Sequence, residues 1–220
     1  MNRHENLRRL LAVLFWMFLV LICWSRREHL TMEGILNFTP ESPVTAVLVM
    51  LGLFLLKSIT FVIYGNILYA ASGILFSLPA AVFLNIAGSA IMASVPYFMG
   101  RKAGAVFLNT LTLKHPKLSV LKDIPQKHPL SSSVMIRLLG ILPGDLVSMY
   151  FGAGGASYWR YLTGTLIGLF PSIMIFSVMG MSAGDITSPA FRISAAAEII
   201  LVLTSFIILI CLRKRVRKSD

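Results

Sequence analysis

Acidic residues are scarce in this chain: nine stand against twenty lysines and arginines, and charged residues of both signs make up only 13% of 220 positions. Such a shortage of charge, beside 56% apolar residues and a mean hydropathy of +0.79, excludes an ordinary soluble domain. Cysteine is nearly absent. Cys23 and Cys211 fall at opposite ends of expected spans, too far apart for a disulfide, and two free thiols are expected. The four histidines, His4, His29, His115 and His128, show no metal-ligand spacing, so no metal and no cofactor is expected. A metalloprotease helix, a nucleophile elbow and a phosphate-binding Walker loop are all missing, which argues against an enzyme and against ATP hydrolysis within this chain.

What is present is long apolar runs with positive charge between them. The basic residues gather at Arg3, Arg8 and Arg9, at Arg101 to Lys127, and at Arg213 to Lys218. Under the positive-inside rule these are cytoplasmic flanks, which places both termini inside and the protein in the plasma membrane. The basic excess then follows from topology and from attraction to anionic head groups, so membrane lipids are the expected partners and nucleic acid is not needed. The run Leu10–Trp24 reads as a retained anchor, because no small-residue cleavage site follows it.

Val44 to Gly100 holds Lys57 as its only charge. This stretch must pass from outside to inside, yet three full spans would leave no residues for turns. Breaks at Gly65-Asn66, Gly73 and Pro79 therefore suggest a helical hairpin that enters from outside and returns, followed by a span near 79–99. The second half repeats the plan from the other face. Gly140, Pro143-Gly144 and the Gly152-Ala153-Gly154-Gly155 run interrupt a second hairpin, and a span near 161–181 follows, begun by an interfacial anchor of Tyr158, Trp159, Arg160 and Tyr161. With spans near 7–24 and 193–212, four full crossings close the topology. The expected fold is an all-α integral membrane protein with two opposed re-entrant hairpins forming an inverted repeat. An offset of eighty positions aligns its halves: Lys57 meets Arg137, Gly88 meets Gly168, and Met99-Gly100 meets Met179-Gly180.

Three units result: a flank, anchor and outer loop over 1–40, the membrane domain over 41–185, and a last helix with a basic tail over 186–220. Residues 105–130 form a cytoplasmic connector that either lies on the membrane surface or is a solvated loop.

An ionised side chain deep in hydrocarbon costs roughly 2.5–3.5 kcal/mol, so Lys57 and Arg137 each need water, a partner or a ligand. Either they receive an anionic head group, with charge-assisted hydrogen bonds from the guanidinium fork, or they snorkel as topology anchors. Asp145, eight residues beyond Arg137, is expected to fold back to that guanidinium as a salt bridge or a protonatable gate. Glu198 is a second candidate proton site, or else snorkels to the outer interface. Gly65, Gly73, Gly140, Pro143, Gly144 and Gly152 are candidate hinges. The pairs Gly100/Gly104, Gly164/Gly168 and Gly180/Gly184 suit close helix approach, within the chain or between copies in a homo-oligomer. Gly152 to Ser157 is rejected as a dinucleotide loop, since no strand precedes it.

Several stretches together resemble one family. Ala71-Ser72-Gly73-Ile74-Leu75-Phe76, Asn85-x-x-Gly88 and Pro96-Tyr97-Phe98-Met99-Gly100-Arg101-x-x-Gly104 are similar to the first half of a VTT domain. Arg137-Leu138-Leu139-Gly140-Ile141-Leu142-Pro143-Gly144-Asp145, leading to Tyr150-x-Gly152 and Gly164 to Gly180, is similar to its second half. This is the DedA or SNARE-associated Golgi protein superfamily, and its bacterial YdjX-like branch fits best. The resemblance, over residues 40–185, implies opposed re-entrant hairpins and movement of lipids across the bilayer: scrambling in eukaryotic relatives, recycling of polyprenyl phosphate in some bacterial ones, with proton or cation coupling. Arg137 matches the family arginine and Pro143 the second proline of its segment. Gly140 replaces the first proline, the acidic pair of the DedA branch is missing from the first hairpin, and that branch's second arginine falls where Pro143 stands. Beside lipid transport, two other functions stay open: a membrane organiser that transports nothing and recruits lipid or protein partners, and a small-anion permease.

Overall fold

The computed structural model describes residues 42–60, 64–114, 128–140 and 143–219, without the side chains of 105–114, 206 and 208–219. The expected anchor near 7–24 and most of the cytoplasmic connector lie outside the described residues. Every described element is helical: α1 (Pro43–Thr60), α2 (Gly65–Leu75), α3 (Leu78–Lys114), α4 (Pro129–Leu139), α5 (Gly144–Ala153), α6 (Tyr158–Met181) and α7 (Pro189–Ser219). Large apolar side chains such as Val44, Phe83, Ile167 and Ile199 are exposed along these helices, as lipid-facing residues are. This is an all-α membrane protein.

Length separates two kinds of helix. Among the described residues α1, the Leu78–Gly104 part of α3, and α6 are long and apolar enough to cross a bilayer. The 10 or 11 residues of α2, α4 and α5 reach about 15–17 Å, half of a hydrocarbon core of about 30 Å. The expected spans at 79–99 and 161–181 correspond to α3 and α6, and the one at 193–212 lies within α7. The first hairpin differs from expectation in its entry arm. α1 runs for 18 residues without a break, and its length and apolar composition suffice for a span.

Local chemistry sets the breaks. α4 ends where Gly140 takes the left-handed conformation at φ 55°, which a side chain would disfavour, and α5 starts behind Pro143, whose missing N–H suits a helix entry. Gly152 to Ala156 is the C-terminal cap of α5: the amides of Gly154, Gly155 and Ala156 bond back to the carbonyls of Tyr150, Gly152 and Phe151. α3 carries a non-helical residue at Gly104, where the apolar span gives way to the basic stretch.

The two halves pack crosswise. In the first half α1 packs on α3, where Gly88 leaves room for the Phe54 ring; in the second α4 packs on α6, where Gly168 leaves room for Val134 and the Arg137 stem. Phe54 and Gly88 become Val134 and Gly168 under the eighty-position offset. The short arms cross over. α2 lies on α6, with Gly73 against Ser177 and Met181 and Gly180 against Ala70; α5 lies on α3, with Gly152 against Tyr97 and Arg101 and Gly100 against Met149. Tyr97 and Arg101 shift by eighty to Ser177 and Met181, so the same contact is made twice. Asn85 bonds Ser177 near the end of α6, while Tyr161 near its start reaches the Ala93 carbonyl, so α3 and α6 run in opposite directions. That reversal is what an inverted repeat requires.

Small residues at these crossings let backbones touch, the usual basis of helix association in lipid. Gly73 and Gly152, expected as hinges, lie inside α2 and α5 as contact points rather than at bends. Gly100, Gly164, Gly168 and Gly180 also face partners within the chain, whereas Gly104 and Gly184 stand open. Two buried clusters fill the interior. One gathers Met50, Phe54, Leu68, Tyr69 and Ile173; the other is aromatic, with Tyr97 stacked on Tyr161 at 5.0 Å and Phe151 beside them.

Candidate functional site

The ends of α1 and α4 and the starts of α2 and α5 border one cavity of about 770 Å³. Lys57 reaches it from the last turn of α1, Arg137 from the last turn of α4, and Asp145 from the first turn of α5. Each of these charges sits at the helix end whose dipole accepts it. Glu198 and Ser205 of α7 and Tyr69 and Ser89 complete much of the polar lining, and Gly65, Gly140, Pro143 and Gly144 also border it. The sequence-predicted residues therefore meet, except for Gly73 and Gly152, which pack elsewhere.

Their pairing differs from expectation. Asp145 bonds Lys57, at 2.7 Å to Oδ1 and 2.8 Å to Oδ2, with both side chains nearly closed to solvent at 14% and 12% exposure. Asp145 does not pair with Arg137. Gly144, at the start of α5, lies directly against the guanidinium, where a Cβ would collide with Nη1, and the next residue along the helix points toward the other half. Lys57 thus neither snorkels nor stands free.

Arg137 has neutral neighbours. Its Nη2 donates to Ser148 Oγ at 2.7 Å and to the Tyr161 hydroxyl at 3.2 Å. Ser148 in turn donates to the Gly144 carbonyl at 2.9 Å, and the Tyr161 oxygen lies 2.7 Å from Ser148 Oγ. Among the described residues no carboxylate lies within ion-pair distance of this guanidinium, and its buried Nε has no hydrogen-bond partner. An uncompensated cation in a low-dielectric wall is a standing demand for an anion.

Glu198 shows a second departure. Rather than snorkelling outward, it lines the cavity, and its buried Oε2 is also without a partner. Tyr161, expected in an interfacial belt, is fully buried and belongs to the Arg137 cluster; its neighbour Trp159 is 73% exposed.

Sequence reasoning missed the hydroxyls. Ser148 lies three residues after Asp145, on an adjoining face of the same short helix, which is the signal that would have found it. On the first-half side, the Tyr69 hydroxyl meets Ser89 at 2.6 Å, and Asn85 is bonded to Ser72, Ser177 and the Tyr69 carbonyl, tying α2 to α3 and α6. Among the described residues no group of His, Cys, Asp or Glu is arranged to hold a metal ion.

A family model described as the VTT domain matches residues 63–182. It covers α2 through α6, hence Arg137 and Asp145, and excludes α1 and α7, hence Lys57 and Glu198. No match is found among curated proteins or among solved structures. The family match covers more than half of the chain and distinguishes no branch: this protein belongs to the VTT-domain family, the DedA or SNARE-associated Golgi protein superfamily.

Proposed function

We propose that this protein moves a lipid with a phosphate-bearing head group from one leaflet to the other, and that Arg137 receives the phosphate. The observation that carries this is the guanidinium left without a carboxylate at the wall of a cavity bounded by broken helices. Ser148 and Tyr161 orient the fork, and Nε–H remains to donate to a ligand oxygen in the two-pronged geometry that guanidinium gives phosphate. Asp145 is the gate: bound to Lys57 it holds the first hairpin to the second, and parting of that pair releases both. On this reading both termini lie on the cytoplasmic side of the plasma membrane, an orientation that the basic clusters support under the positive-inside rule.

Purified protein in vesicles should accelerate exchange of a fluorescent lipid between leaflets, and Arg137→Ala should slow it by at least about tenfold, the value of one charge-assisted contact, while the protein still elutes as a folded species. The closed Lys57–Asp145 pair is equally what a non-transporting organiser would contain. A rate indistinguishable from protein-free vesicles would assign the chain to that class, and uptake of a labelled inorganic anion would make it a permease.

A further inference from the structure

Two residues that line this cavity carry buried polar atoms of opposite character without partners. One is Arg137 Nε, a donor on a cation; the other is Glu198 Oε2, an acceptor on a carboxylate. They belong to different elements, α4 and α7, and are not paired with each other. α7 is nonetheless fastened here, since the Ser205 hydroxyl donates to the Leu138 carbonyl at 2.8 Å beside the end of α4.

The geometry points to Glu198 as the residue that selects the head group: it receives the ammonium of a zwitterionic phospholipid whose phosphate lies on Arg137. This rests on the lipid-moving function proposed above and names its substrate class. A head group bearing phosphate alone would satisfy Arg137 but bring like charge toward Glu198, inside a space where charges are weakly screened. One that carries a primary ammonium as well satisfies both, because ammonium N–H groups donate to the free carboxylate oxygen while phosphate oxygens accept from Nε–H. Discrimination then comes from an attractive contact for one lipid and a repulsive one for the other. Lys57 takes no part, as Asp145 already holds it.

The test compares two acyl-chain-labelled lipids, phosphatidylethanolamine and phosphatidylglycerol, each at trace level in phosphatidylcholine vesicles holding the full chain, with exchange read by chemical quenching of the outer leaflet. The unmodified protein should move phosphatidylethanolamine about tenfold faster, the size of one charge-assisted contact. Glu198→Gln should remove that advantage by slowing phosphatidylethanolamine and speeding phosphatidylglycerol, and Glu198→Asp should restore the preference. Equal changes for both lipids, or none, would overturn the assignment.

Should the unmodified protein move neither lipid, the function proposed above fails, but the site is still readable. In detergent, short-chain phosphatidylethanolamine should raise the melting temperature more than short-chain phosphatidylglycerol, and Glu198→Gln should equalise the two shifts. Equal shifts with the unmodified protein would dispose of the site itself.

Discussion

The two halves of this molecule share a scaffold and differ in what they do with a cation. Lys57 and Arg137 occupy equivalent places at the ends of α1 and α4. Lys57 is neutralised by Asp145 from the other half. Asp145 shifted back by 79 or 80 positions falls on Asn66 or Gly65, neither of which carries charge, so the reciprocal bond to Arg137 has no acid to make it. One half is closed by an ion pair and the other holds its charge in reserve. Duplicated packing thus permits divided labour: one junction binds the halves together and the other leaves its cation without a carboxylate.

Asp145→Asn should break the closed half most. It leaves the Lys57 ammonium buried without a counter-ion, at about 3–5 kcal/mol, seen as a fall in melting temperature in detergent, and Lys57→Met in the same chain should recover most of it. If the double variant is no better than the single, the pair is not what holds the hairpins. Asn66→Asp should make the halves alike by giving Arg137 the acid it lacks. Lipid exchange in vesicles should drop about tenfold, and an undiminished rate would show that Arg137 is not held open for a ligand. The smallest effect lies outside the membrane, in the turn between α6 and α7. There the Thr187 hydroxyl and amide hold the Asp185 carboxyl below its ordinary range. Because the folded value is depressed, the stabilisation is present above the ordinary carboxylate range and fades as pH falls through the lowered one. Melts between neutral pH and about pH 3 should therefore show Asp185→Asn slightly less stable than the unmodified protein at the upper end only.

Much of this was legible from spacing. Gly88 and Gly168, and Met99-Gly100 and Met179-Gly180, mark the repeat because close helix crossings admit little else, and charges inside apolar runs stand out wherever they occur. The identity of Asp145's partner was not legible. It depends on which way the first turn of α5 faces relative to α4, which a linear separation of eight residues leaves undetermined. Tyr161 was misplaced because an aromatic next to Arg160 has the composition of an interfacial belt whether or not a guanidinium lies within reach. Glu198 was misplaced because depth along a helix says nothing of which side it faces. The full length of α1 was hidden because four other crossings already closed the topology without it.

The crosswise placement of α2 on α6 and α5 on α3 carries a mechanical consequence. Neither half can swing as a free block, because each grips a limb of its counterpart at a point where no methyl group would fit. Displacement of one half is therefore geared to the other, so damage to either limb will be felt in both.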